Sequence, residues 1–345
     1  MKFRIGLLWL AIAASCLSAC DRESDEAGVA DETVEIHHSG ELGRYRGLVY
    51  IPGSSVGESS VPLVVVIHGA NMSAEVQREV TRFDLVAKRE GFIVMYPDHE
   101  NDALHPLQSW RFYNPTEMQR GAGDAEALAA LTRKVLDGWN VDPERVYAIG
   151  LSAGGFMTSI LGAAYPDLFA AIGLVEAGGY GIGLLGIAQP VGPLVLRPEI
   201  TARSARQAMG PRARILPVIN FQGQQDLAVR PETGAHAVQQ WLMTNNLVAS
   251  GTLRQPFQLT PAESIGIVPE RGYPYQIDIY RDPEGCRMAE QVRIEGMGHF
   301  WPGEASDPGL AGVLSPSPNG AELAWSFFKR YRKSDTSLPC VESAL

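Results

Sequence analysis

Gly150-Leu151-Ser152-Ala153-Gly154 sets a serine between two glycines at the spacing of a nucleophile elbow, the tight strand-to-helix turn that lifts a hydroxyl clear of its own backbone. Ser152 is therefore the expected nucleophile of a covalent mechanism. A serine is a weak nucleophile without a base, and in this setting the acid and the base follow it in the chain. Two histidines qualify. His236 lies in a stretch of helical periodicity, Thr233 to Leu242, whereas His299 lies in Gly296-Met297-Gly298-His299-Phe300-Trp301-Pro302-Gly303, a glycine-punctuated loop directly after a strand. Loops at strand ends are where such sites are built, so His299 is the expected base. By the same reasoning Asp226, closing Gln222-Gly223-Gln224-Gln225-Asp226, is the expected acid that orients the imidazole. Asp167 reads instead as a turn residue after Pro166, Asp278 as part of a hairpin and Asp282 as part of its turn. A tetrahedral intermediate needs two N–H donors. One is the amide of Ala153; the other is expected from His68-Gly69-Ala70-Asn71, with Ala70 nominated and Asn71 its competitor. His68 precedes Ser152 and is expected to brace that loop.

The elements that must position these groups alternate strand and helix, which points to an α/β architecture with a mostly parallel sheet. Strands are expected at Arg44–Ile51, Pro62–Ile67, Phe92–Tyr96, Val146–Ile149, Phe169–Val175 and Ile215–Phe221, with a hairpin of Tyr275–Tyr280 and Gln291–Glu295. The run Leu63-Val64-Val65-Val66-Ile67 has the continuous apolar character of a strand buried on both faces. Helices are expected from Ser73 to about Arg89, Asp124 to Leu136, Ala153 to Tyr165, Pro231 to Asn245 and Ala321 to Arg332. Residues 177–213 are rich in Gly, Pro and Ala, with at most a short helix at Ala202–Ala208, and read as a lid or pocket wall.

The chain has 345 residues, 45% hydrophobic and 20% charged, which excludes disordered, collagenous and repeat-built classes. Its net charge of −10, with basic residues clustered only at Lys329, Arg330, Arg332 and Lys333, argues against a nucleic-acid partner. Lys2 and Arg4 precede an apolar run from Ile5 to Ala14 and then Leu17-Ser18-Ala19-Cys20, the layout of a secretory signal. Leu-Ser-Ala-Cys resembles the bacterial lipobox, in which the cysteine is lipidated; a generic signal cut near Ala19 is the alternative. The expected divisions are a signal over 1–19, an acidic tether over 20–36 and one catalytic domain over 37–345. Asp21 after the cysteine resembles the inner-membrane retention signal of Gram-negative lipoproteins, which would set the catalytic body facing the periplasm. Cys286 and Cys340 remain as an even pair in an oxidising compartment and are expected to form a disulfide. No Cys-x-x-Cys or His-x-x-x-His spacing suggests a metal site.

Pro62 to Gly69, Tyr96-Pro97-Asp98, Trp110, Gly150 to Gly155, Tyr165 to Ala171, Gly223 with Asp226, and Gly296 to His299 with Trp301-Pro302-Gly303 together resemble the polyhydroxybutyrate depolymerase and feruloyl/acetylxylan esterase family. The resemblance runs in order from about Arg44 to Phe328 and implies an α/β-hydrolase fold that cleaves carboxylic esters with a Ser-His-Asp triad and no cofactor. Two positions depart from the pattern: Ala70 stands where the family often has Cys, and Gln222-Gly223 where it usually has His-Gly. Neither removes a catalytic group, but the substrate cannot be copied across. The expected substrates are soluble feruloyl or acetyl sugar esters or short hydroxyalkanoate oligomers, reached from a lipid anchor on Cys20. A polyhydroxybutyrate depolymerase proper, a serine peptidase on the same fold and a non-catalytic envelope lipoprotein are the competing classes. Trp110 and Trp301, with Phe112 and Tyr113, are candidates to line the acyl or leaving-group pocket.

Overall fold

The protein is described from a computed structural model covering residues 29–57, 59–100, 104–187, 197–303 and 317–334. Among the described residues, ten strands form one sheet: β1 (Glu32–Gly40), β2 (Gly43–Ile51), β3 (Val61–Ile67), β4 (Ile93–His99), β5 (Val141–Leu151), β6 (Ala171–Val175), β7 (Val218–Gly223), β8 (Glu263–Ile267), β9 (Tyr275–Arg281) and β10 (Arg287–Ile294). Their order is β1-β2-β4-β3-β5-β6-β7-β10-β9-β8. From β4 through β10 every neighbouring pair is parallel, and antiparallel strands extend both edges. The central strands are β-branched and apolar because helices cover both faces, leaving no solvated side to favour polar residues.

Seven α-helices supply that cover: α1 (Ala74–Thr81), α2 (Phe83–Glu90), α3 (Gly123–Gly138), α4 (Ala153–Ala164), α5 (Pro198–Met209), α6 (Pro231–Ser250) and α7 (Gly320–Phe328). One face packs Leu128, Phe156, Leu161 and Trp241, from α3, α4 and α6, against Val65, Ile67 and Leu174. The other packs Phe83, Trp325 and Phe328, from α2 and α7, against Val64, Val66 and Ile149. Tyr147 stacks on Phe328 with ring centres 5.0 Å apart, which docks the last helix onto a central strand. Every residue of α4 is buried, which explains why it carries only small, apolar and hydroxyl side chains.

Three boundaries differ from expectation. The tether does not reach residue 36, because Glu32–Gly40 pairs with β2 and its alternating half-buried residues, Val34 and Ile36 among them, lie against the core. The helix expected over 73–89 is two, since Arg82 takes a left-handed conformation (φ 53°) that breaks the hydrogen-bond run. An additional edge strand, β8, pairs with β9. Within the 177–213 insertion the described part ends in α5, which packs against α6.

Candidate active site

The elbow follows from sterics. Ser152 sits at φ 53° and ψ −119°, between β5 and α4, with its amide bonded to the Val175 carbonyl at 2.9 Å. A non-glycine residue at positive φ is uncommon and marks a site where the surrounding structure imposes strain. Neither flanking glycine admits a side chain: a Cβ on Gly150 would fall 2.3 Å from the Gly154 carbonyl, and one on Gly154 would fall 2.3 Å from that of Ile67. The N-terminus of α4 is thereby pressed against the loop after β3, where its unsatisfied amides and positive dipole end favour a developing anion.

The loops after β7 and β10 are zipped together by backbone. Gln224 and Gln225 donate their amides to the carbonyls of Ile294 and Met297, both at 2.9 Å, and a Cβ on Gly223 would lie 2.4 Å from the Met297 oxygen. This brings two residues 73 positions apart into contact, with His299 Nδ1 at 2.7 Å from Asp226 Oδ2. The other carboxylate oxygen, Oδ1, accepts the amides of Ala228 at 2.7 Å and Val229 at 2.9 Å. Burial alone would raise the Asp226 carboxyl, but hydrogen bonds from His299 and Glu176 and the backbone amides outweigh it and hold it below the usual range. The Asp226 side chain is fully buried, while that of His299 is 29% exposed, so one end of the imidazole faces the protein and the ring reaches solvent. His236 differs in each respect. It is buried on α6, 3.1 Å from the Thr201 hydroxyl, and desolvation holds its pKa down at about 4.

Glu176, the residue after β6, is a site neighbour that sequence reasoning missed. It lies fully buried at φ 47°, its carboxyl within 4.8 Å of that of Asp226. The available signal was an acidic residue closing the apolar strand Phe169–Val175, between the nucleophile and the base in chain order. Among the described residues, Glu176, Asp226 and His299 form the one cluster of metal-ligand type, their polar atoms within 4.8 Å of one another. The two carboxyls already accept from backbone amides, from Gln222 and from His299.

The loop after β3 is braced as expected. His68 is fully buried, its Nδ1 2.7 Å from the Gly69 oxygen and its Nε2 3.3 Å from Asp98 Oδ1. Burial alone would raise Asp98, but hydrogen bonds from His68, the Ala74 amide and Arg46 hold it well below the usual carboxylate range. The Asn71 amide donates to the Leu107 carbonyl at 2.7 Å and is not available to an oxyanion, which leaves Ala70 as the stronger nominee. The pocket role expected of Trp110 and Trp301 is corrected. Trp110 is fully buried, donates Nε1–H to the His68 carbonyl at 3.0 Å and packs tilted against the His68 ring, so it is a brace behind the loop. Trp301, also buried, packs edge-on to Phe83 in the core. Cys286 is buried, whereas Cys20 and Cys340 lie outside the described residues.

Residues 46–189 match the model of the family described as Esterase PHB depolymerase, a span that includes Ser152 but ends before Asp226 and His299. The chain is 28% identical over 260 residues to feruloyl esterase B of Thermothelomyces thermophilus, covering 70% of this chain and 80% of that one. It is 26% identical to poly(3-hydroxyalkanoate) depolymerase C of Paucimonas lemoignei, covering 73% of this chain but only 57% of that enzyme. Among solved structures, acetyl xylan esterase from Aspergillus awamori superposes with a TM-score of 0.64 at 17% identity, over 86% of this chain and 99% of that one. The chain thus shares its fold with that structure, a mostly parallel sheet flanked by helices.

Proposed function

We propose that this protein is a serine carboxylesterase that hydrolyses soluble esters through an acyl-enzyme on Ser152. The observation that carries the reading is the 2.7 Å bond between His299 and a buried Asp226, on the same end of the sheet as a serine held in a strained strand-to-helix turn. With Nδ1–H donated to Asp226, the other ring nitrogen of His299 is left as an acceptor. It takes the Ser152 Oγ proton as Oγ bonds to the ester carbonyl, and the imidazolium is stabilised by Asp226. The oxyanion is received by the amides of Ala153 and Ala70. Collapse expels the alcohol, which takes the proton from His299; water then repeats the cycle, releasing the acid and restoring Ser152. The scheme calls for no cofactor.

Feruloyl, acetylxylan and poly(3-hydroxyalkanoate) esters are the substrates named for the relatives, and short soluble forms of these are the proposed class. Exposed leucines on loops at the carboxyl ends of β4, β6 and β7, Leu107, Leu184, Leu185 and Leu227, suit an apolar acyl or alkyl group. The body is proposed to be secreted behind a signal over 1–19, lipid-anchored at Cys20 on the outer side of the cytoplasmic membrane, and closed by a Cys286–Cys340 disulfide. Among the described residues no helix is long and apolar enough to cross a membrane. Methyl ferulate, acetylated xylo-oligosaccharide and hydroxybutyrate oligomers, each assayed with wild type and Ser152→Ala, test the reading. At least one ester is turned over by wild type and at a rate about 10⁴-fold lower by the variant; turnover retained in Ser152→Ala overturns it.

A further inference from the structure

The carboxyl of Glu176 has no basic side chain bound to it. Its Oε1 accepts the Gly223 amide at 2.7 Å and its Oε2 accepts the Gln222 side-chain amide at 2.6 Å. Its remaining partner is Asp226, the one ionisable group acting on it. Two carboxyl groups within 4.8 Å of each other in a buried site are strongly disfavoured as a doubly ionised pair, so one proton is held between them. Asp226 faces the imidazole and two further amides; Glu176 faces neutral donors and the Asp226 charge, with a ring nitrogen of His299 within 4.8 Å of its carboxyl. Desolvation and that charge push Glu176 well above the carboxylate range, while Asp226 is drawn below it, so the proton resides on Glu176.

We propose that Glu176 is a neutral positioning residue that donates a hydrogen bond to Asp226, extending the Ser152–His299–Asp226 relay by a fourth group that never touches the substrate. The inference rests on the serine-esterase reading. Its physical content is twofold. The Glu176 hydroxyl holds the Asp226 carboxylate in the rotamer that meets His299, and by accepting part of its charge it keeps Asp226 less basic than the imidazole beside it. The left-handed backbone at Glu176, φ 47°, aims the side chain at the Asp226 loop and is strain of the kind retained at functional sites. Gln222, the position that departs from the family's usual histidine, joins the same network: its Nε2 also donates to the Val229 carbonyl at 3.0 Å, tying Glu176 to the loop that carries Asp226.

The test compares Glu176→Gln with Glu176→Leu. Glutamine keeps a neutral donor of the same length toward Asp226 at the cost of one accepted bond, from Gly223 or Gln222, so kcat falls less than about tenfold and KM is unchanged. Leucine removes the donor, and kcat falls about tenfold to a hundredfold at constant KM. With the donor gone the Asp226 charge is less dispersed and stabilises the imidazolium more, so the acidic limb of the kcat/KM profile moves to higher pH in the leucine variant and not in the glutamine variant. A glutamine variant as impaired as the leucine variant would show that an ionised carboxylate is needed, and a leucine variant with normal kcat and an unmoved limb would reduce Glu176 to packing; either overturns the proposal. Should Glu176→Leu fail to fold, the infrared difference spectrum of wild type against Glu176→Gln at neutral pH decides. A protonated-carboxyl C=O band lost in the variant supports the proposal, and its absence from wild type overturns it. That band is independent of turnover, whereas turnover in Ser152→Ala would strike the esterase reading itself.

Discussion

Asp226→Asn probes the relay at its most constrained point. Oδ1 of Asp226 accepts two backbone amides, from Ala228 and Val229, while Oδ2 faces His299. An asparagine must keep its carbonyl oxygen on the two amides, so its NH₂ is turned toward His299 Nδ1. The imidazole then carries its proton on the nitrogen that should receive the serine's, and the base is in the wrong tautomer. The second loss is electrostatic. With donor and acceptor 2.7 Å apart the charge centres of imidazolium and carboxylate lie about 4 Å from each other, worth about 4 kcal/mol at an effective dielectric near 20, or about a thousandfold in rate. Tautomer and charge together predict a fall in kcat of about 10⁴ with KM little changed. The assay is hydrolysis of a chromogenic short-chain ester under saturation, with circular dichroism and a thermal melt to establish that the variant is folded. A folded Asp226→Asn enzyme keeping more than about a tenth of wild-type kcat would refute the relay.

His236 links burial to acid stability: its pKa is depressed from 6.5 to about 4, so the unfolded chain binds a proton in that window that the folded chain does not. The contribution is full above pH 6.5 and is lost as pH falls toward 4, at about 1.4 kcal/mol per pH unit. His236→Gln should flatten the urea-unfolding stability profile there by one proton while leaving ester turnover near neutrality unchanged; an unaltered slope contradicts this. Wild type expressed in a related bacterium should partition with membranes and take up labelled fatty acid, and Cys20→Ala should do neither; an unlabelled wild type means a plain secreted enzyme. Cys286→Ala should lower the melting temperature before it lowers room-temperature kcat, because a bridge closing about 54 residues is worth roughly 4 kcal/mol in chain entropy; equal melting temperatures, or free thiols at both positions in a non-reduced digest, remove the bridge.

The elbow was legible because its demand is local: Gly150 and Gly154 are the only side chains small enough for a strand and helix whose backbones nearly touch. The acid and base loops were legible by elimination, since chain order left His236 and His299, and the former sat in a helical pattern. What stayed hidden depends on contacts between distant segments. Glu176 reads as an ordinary acid after a strand until Asp226 arrives from 50 residues on and places a second buried carboxyl within 4.8 Å of it. Trp110 and Trp301 look like pocket walls because aromatic residues serve cores and pockets alike, and only burial separates the uses. The break at Arg82 needed a positive φ that no residue type there announces, and β1 was masked by the acidic stretch running into it.

Strand order gives the site a simple logic. Ser152, Glu176, Asp226 and His299 close β5, β6, β7 and β10, which are consecutive neighbours in the sheet. At about 4.8 Å per strand, nucleophile and base start some 14 Å apart, so the relay depends on loops that lean back over β6. The zipper from Gln224 and Gln225 to Ile294 and Met297 carries the Asp226 and His299 loops as one unit. Whatever closes β6 must then lie beneath that unit. An ionised side chain there would compete with Asp226 for the imidazolium, and an apolar one would leave the buried carboxylate one donor short. A carboxylic acid that keeps its proton, as proposed for Glu176, meets both conditions.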